Sequence, residues 1–119
     1  MKMMTIRREE ITRMDFSDVV EPGEKLPPVH PGEILLHDFM KPLALSANGL
    51  AARLHVPANR ISGIVNGSRA VTADTALRLA RYFGTTAEFW VGLQKDYELE
   101  VARRAALASI EKEVSPRAA

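Results

Sequence analysis

The chain has 119 residues, enough for one domain with a single hydrophobic core, and its net charge is +1. It contains no cysteine, which excludes disulfides and thiolate metal sites and suits a reducing compartment. No apolar run approaches the roughly 18 residues of a membrane span, and the N-terminus lacks the apolar segment of a signal peptide. We therefore expect a cytoplasmic protein without a membrane segment.

The charge is unevenly distributed along the chain. Residues 46–84 carry five arginines and one acid, whereas 1–45 and 85–119 each hold more acidic than basic side chains. The basic side chains of the middle stretch are Arg53, Arg60, Arg69, Arg78 and Arg81, and the acid is Asp74. A basic middle between acidic ends is typical of a phosphate-binding surface, although solvated arginines on helix faces would give the same pattern.

Residues 1–29 form an N-terminal arm whose order the sequence does not decide. Pro22-Gly23 and Pro27-Pro28 interrupt regular structure before Pro31. The arm nevertheless has more apolar residues than a purely disordered tail would. It can fold back onto the domain, cross to a second subunit or bind a partner protein, and all three options stay open.

The compact part, residues 30–114, reads as five helices. Pro31 and Glu33 suit the first turn of a helix that Pro42 should end near Met40 to Lys41. Ser46 is a good N-cap for a second helix over 47–54. Pro57 fits the first turn of a third, which ends near Val65 before Asn66-Gly67.

The fourth predicted helix begins at a cap provided by Thr72 or Asp74 and ends at Gly84. Its inward face is predicted to consist of Ala76, Leu77, Leu79, Ala80 and Phe83. A fifth helix should open at Thr86, run past Ala108 and leave residues 115–119 as a tail. We find no strand-like alternation, and the expected fold class is all-α.

The second and third helices have the spacing that two short helices crossing steeply require. Ala51 lies where the helices should approach most closely, and an aliphatic core would form between them from Leu50, Leu54, Val56, Ile61 and Ile64. The exposed face of the third helix is then predicted to present Asn59, Arg60, Ser62, Gly63 and Asn66. Asn, Arg and Ser are side chains that hydrogen-bond base edges. An ordinary helical hairpin would show the same apolar spacing.

The stretch from His30 to about Ala105 closely resembles the HigA-type antitoxins, a branch of the Xre or lambda-repressor-like helix-turn-helix family. Matching segments include His30-Pro31-Gly32-Glu33, Pro57-Ala58-Asn59-Arg60-Ile61 and Phe89-Trp90. The resemblance implies a five-helix lambda-repressor-like domain that dimerises, represses its own operon on double-stranded operator DNA, and neutralises a RelE-like messenger-RNA-cleaving toxin. His55 departs from the glycine that many helix-turn-helix proteins have at the turn, but histidine tolerates left-handed backbone better than most residues.

Carried over by position, the resemblance implies a set of DNA contacts. Asn59, Arg60 and Ser62 are the candidates for base contacts. Asn66, Ser68 and Arg69, after the third helix, are candidates for phosphate contacts, as is Ser46 with the first N–H groups of the second helix. A solitary Xre-type repressor would use the same surface, and a protein-interaction module without DNA binding is the third alternative.

Other signals in the sequence favour structural roles. Glu33 and His37 lie one helical turn apart near His30, but helix capping by Glu33 explains this better than a metal site. Of the adjacent Phe89 and Trp90, one should pack in the core and the other remain available for a second subunit. We find no nucleophile with a matched base and no phosphate-binding loop, so we expect neither an enzyme nor a cofactor.

Overall fold

The computed structural model describes residues 26–118, and most of the predicted arm lies outside the described residues. Within them the chain forms five helices and no strand. Helix α1 begins as an α-helix, Pro31–Ile34, and continues as a π-helical stretch, Leu35–Met40; it is followed by α2 (Ala47–Leu54), α3 (Ala58–Val65), α4 (Ala73–Phe83) and α5 (Ala87–Glu113). The predicted all-α class and the five helices are confirmed.

The helix ends follow from local chemistry. Ser46, Thr72 and Thr86 each accept a hydrogen bond from a backbone N–H of the first turn of α2, α4 and α5. Thr72, rather than Asp74, caps α4. His55 ends α2 in the left-handed region at φ 59°, so the histidine does adopt the backbone conformation that the turn requires.

The core is one apolar cluster beneath the helix-turn-helix. Helix α2 packs mainly on α3, α4 packs on α5, and α1 contacts both α3 and α5. The buried members are Leu35, Met40, Leu50, Ala51, Leu54, Ile61, Ile64, Val71, Ala76, Leu79 and Trp90. Trp90 is the core member of the adjacent aromatic pair and Phe89 remains 39% exposed, as the sequence predicts.

One predicted core position is wrong. Leu77 does not belong to the inward face of α4, because that face is defined by Thr75, Ala76 and Leu79 and leaves Leu77 63% exposed. The apolar spacing alone therefore overestimated the width of the buried stripe on α4.

Helix α1 lies directly against the end of α3, and this approach requires glycine. A Cβ on Gly32 would lie 1.8 Å from the carbonyl oxygen of Ile64, which no side chain can tolerate. The contact fixes the His30-Pro31-Gly32 segment beneath the C-terminal end of α3. Among residues 26–118, no helix is long and apolar enough to cross a membrane.

Candidate nucleic-acid interface

Helix α3 has a polar, exposed face on the side opposite the apolar contacts that hold it on the domain. Asn59, Ser62 and Asn66 follow one another at spacings of three and four residues, and all three are exposed. Ile61 and Ile64 lie on the opposite side and are fully buried. The helix therefore rests on its aliphatic side and presents amide and hydroxyl groups outward, as the sequence predicts.

Gly63 is not part of this exposed face, which corrects the prediction. It is buried because the side chain of Arg69 lies across it, and a Cβ on Gly63 would be 2.7 Å from both Cγ and Cδ of Arg69. Because Gly63 has no side chain, Arg69 can lie close to the helix backbone at the place where the sequence predicted a DNA groove. Its role is to let the arginine from the following turn cross α3.

Arg60 is only partly exposed because an ion pair holds it. Its guanidinium lies 2.7 Å from the carboxylate of Asp74 at the start of α4, and its side chain is 32% exposed. Asp74 also lies 2.9 Å from Arg78, so one carboxylate bridges two arginines. Hydrogen bonds from Arg78 and then Arg60 hold the pKa of Asp74 below its ordinary value.

The turn after α3 is ordered by hydrogen bonds to its own backbone. The Asn66 Oδ1 atom accepts from the Ser68 N–H at 2.9 Å, and the Gly63 carbonyl accepts from the N–H groups of Ser68 and Arg69 at 2.9 and 3.0 Å. Gly67 takes φ +85°, which favours glycine. Asn66, Ser68 and Arg69 are all exposed on this turn, where the sequence analysis placed phosphate contacts.

The five arginines of the basic stretch line two adjoining hollows rather than one surface. Arg60 and Arg69 meet in the first, together with Thr72 and Thr75. Arg53, Arg78 and Arg81 line the second, between α2 and α4. The structure thus brings together two predicted DNA contacts, Arg60 of α3 and Arg69 of the turn that follows it.

Ser46 is the N-cap of α2, and its hydroxyl oxygen already accepts a hydrogen bond there. Its Oγ accepts the Gly49 N–H at 2.9 Å, which satisfies one of the first-turn donors that were predicted to bind a phosphate.

Sequence reasoning missed Asp74 as the partner of Arg60. Its spacing to Arg78 indicates an i,i+4 pair, but its contact with Arg60 depends on how α4 packs.

No group of three or more metal-ligating side chains occurs among residues 26–118. His30 and Glu33 instead both belong to the first turn of α1, where the His30 Nδ1 atom accepts the Gly32 N–H at 2.9 Å. The side chain that caps α1 is thus His30, whereas the predicted cap, Glu33, only lies in the first turn.

The arrangement of α2 and α3 defines the class of protein as a helix-turn-helix protein. The helix-turn-helix family matches residues 36–90. "Virulence-associated protein I" of Dichelobacter nodosus is 50% identical over 80 residues, which is 67% of this chain and 74% of that protein.

Two solved structures are similar over their whole length. The antitoxin HigA of Pseudomonas aeruginosa, solved with the higBA promoter, is 43% identical at a TM-score of 0.74, covering 76% of this chain and 99% of that one. A HigA-family addiction module antidote protein of Coxiella burnetii is 50% identical at a TM-score of 0.74, covering 77% of this chain and all of that one. This chain belongs to the helix-turn-helix family, in the branch of the HigA-type antitoxins. That branch consists of DNA-binding antitoxins and regulators rather than enzymes.

Proposed function

We propose that this chain is the antitoxin of a type II toxin–antitoxin module. As a homodimer it binds operator DNA upstream of its own operon and represses transcription. It also neutralises a RelE-like, messenger-RNA-cleaving toxin encoded beside it.

The observation that carries the DNA-binding part of the proposal is the outward face of α3. Asn59 and Ser62 stand on the face opposite the buried isoleucines, where they can reach base edges in a major groove. The similar antitoxin from Pseudomonas aeruginosa was solved with a promoter, which supports the same role here. Arg60 is the third base-contact candidate. Its Nη1 group is bonded to Asp74, so a base contact comes either from its other guanidinium N–H groups or by replacing that bond.

Phosphate contacts come from the turn beside that face. Arg69 crosses α3 over Gly63, and Ser68 and Asn66 lie exposed on the same turn. Because Asn66 Oδ1 already accepts the Ser68 N–H, its Nδ2 atom is the end of the amide that can donate to a phosphate. Such contacts position the protein on the duplex, while α3 reads the sequence.

A dimer places two copies of α3 about one DNA turn apart, roughly 34 Å, in successive major grooves of an inverted repeat. Each half-site then receives one α3 and one Arg69. Affinity is expected to fall steeply with salt because the bound arginines release counterions from the phosphates.

Expression of this gene together with its chromosomal neighbour, followed by affinity purification, tests the whole proposal. We expect a stable complex with a small basic protein, and binding of that complex to the fragment upstream of the operon. Promoter binding without any partner would leave a solitary Xre-type repressor. Absence of both would favour a protein-interaction module without DNA binding and would overturn the proposal.

A further inference from the structure

Gln94 is a polar side chain buried where α5 meets the chain that joins α3 to α4. The whole residue is 7% exposed, although glutamine usually lies at the surface of a protein. Its Oε1 atom accepts the N–H of Val71, a buried residue, at 2.8 Å. The bond joins residues that are 23 positions apart in the chain, so it depends on the packing of α5. The helix thereby holds one point of the α3–α4 segment, residues 66–72.

A second hydrogen bond fixes which end of the Gln94 amide faces Val71. The Nε2 atom donates to Oε2 of Glu98, one turn further along α5, at 2.9 Å. An ionised carboxylate only accepts hydrogen bonds, so the amide nitrogen must face Glu98 and the amide oxygen must face the Val71 N–H. Glu98 therefore orients the group that holds the α3–α4 segment.

Val71 lies between Arg69, a proposed phosphate contact, and Thr72, the N-cap of α4. On one side, the N–H of Arg69 is held by the Gly63 carbonyl at 3.0 Å. Two residues later, the bond from Val71 to Gln94 holds the chain on the other side. Together the two bonds set the place from which the Arg69 side chain leaves the backbone and crosses α3 over Gly63.

We propose that Gln94 is a positioning residue for DNA binding: from α5 it fixes the backbone that follows Arg69, so that the Arg69 side chain meets a phosphate. Gln94 itself touches no DNA, because it is buried between α5 and the segment that it holds. The inference rests on the proposed function, since it explains how one of the proposed phosphate contacts is oriented.

Gln94 also has a structural effect, from which its effect on DNA binding must be separated. It provides the acceptor for a buried N–H, and a buried donor without an acceptor lowers the stability of a protein. Loss of stability alone would weaken binding by reducing the folded fraction, and it would do so whether or not Arg69 is present.

A double-mutant cycle makes this separation. Gln94→Met keeps the approximate length of the side chain but removes the acceptor for Val71, and Arg69→Ala removes the proposed phosphate contact. The full-length wild type, the two single variants and the double variant are titrated with the operator fragment at several salt concentrations, below their melting temperatures. Met40→Ala is the stability control, since it removes a buried side chain at the end of α1 and leaves the bond between Val71 and Gln94 in place.

We expect Gln94→Met and Arg69→Ala each to bind operator DNA about tenfold more weakly and to lose about 0.9 from the slope of log affinity against log salt, the contribution of one phosphate contact. We expect the double variant to bind no more weakly than Arg69→Ala, because Gln94 acts through an arginine that is already absent. Met40→Ala should keep the wild-type slope even though its melting temperature falls.

Additive losses in the cycle would overturn the inference and leave the proposed function intact, because Gln94 would then act independently of Arg69. Wild-type affinity and slope in a folded Gln94→Met variant would overturn it as well, and so would an equal loss of slope in Met40→Ala. If the wild-type chain binds no DNA at any salt concentration, the proposed function fails together with the inference.

Discussion

The guanidinium of Arg60 lies 2.7 Å from the carboxylate of Asp74, so the arginine at the start of α3 is paired before any DNA arrives. Asp74 also holds Arg78, which donates to the Leu54 carbonyl at the end of α2 at 2.8 Å. These contacts tie α2, α3 and α4 together through a single acid. If Arg60 contacts a base, as proposed, its effect on binding is the balance between that contact and the bond to Asp74.

Replacing Arg60 with alanine should weaken operator binding by about 1–3 kcal/mol, because a lost base contact costs that much. The loss should be largest for the operator and small for unrelated DNA. Arg81→Ala is the matched control, since it removes the same charge from the hollow between α2 and α4. Equal losses in the two variants would remove Arg60 from the reading surface.

Replacing Asp74 with asparagine should raise affinity for unrelated DNA several-fold. The change removes a negative charge beside the proposed interface and releases Arg60 from its partner. Specificity, measured as the ratio of operator to unrelated DNA affinity, should therefore fall. Unchanged binding to both fragments would show that Asp74 does not restrain Arg60.

Replacing Gly63 with alanine should weaken DNA binding with little loss of stability. The added methyl group would lie 2.7 Å from Cγ and Cδ of Arg69, and this flexible side chain can move away without unfolding the domain. Gly92→Ala, on α5, is the control, because a Cβ there meets nothing within 4 Å. We expect that control to bind normally and to be more stable by about 0.5–1 kcal/mol. Normal binding by Gly63→Ala would contradict the placement of Arg69.

Replacing Gly32 with alanine should destabilise the domain by about 3 kcal/mol or more, because the added Cβ overlaps the backbone oxygen of Ile64 rather than a movable side chain. Chemical denaturation measures the change in the free energy of unfolding. A loss below about 1 kcal/mol, the low end of the cost of overpacking, would show that α1 can shift away from α3.

Acid should destabilise the domain through His30. Burial lowers the pKa of His30 from its usual 6.5, against smaller opposing effects of the Glu33 charge and the hydrogen bond to Arg69. Tyr97 faces the ring from α5. Because the unfolded chain binds the proton more readily, the stabilisation is complete above pH 6.5 and declines as the pH falls below it.

Denaturation midpoints measured between pH 8 and 5 should therefore fall for the wild type and fall less for His30→Asn. Parallel pH profiles for the two proteins would mean that His30 titrates alike in the folded and unfolded chains.

Helix positions were predictable because their signals are local. Ser46 before α2, Thr86 before α5 and Gly84 after α4 act on adjacent backbone groups, and the structure has these ends where the sequence predicts them. The π-helical stretch Leu35–Met40 gave no such signal.

The site was only partly predictable because its key contacts join distant residues. The outward positions of Asn59 and Ser62 followed from helical spacing. The pairing of Arg60 with Asp74, the crossing of Gly63 by Arg69 and the contact of His30 with Tyr97 each depend on tertiary packing. Neither spacing nor charge along the chain encodes such contacts directly.

The most direct test of the account is the affinity of the purified chain for the fragment upstream of its own gene, compared with a shuffled fragment of equal length across a range of salt. We expect binding to the upstream fragment to be about 10³-fold tighter, and both affinities to fall as salt rises. Equal affinities for the two fragments, or no salt-dependent binding to either, would contradict the claim that α3 and its turn form a sequence-reading surface.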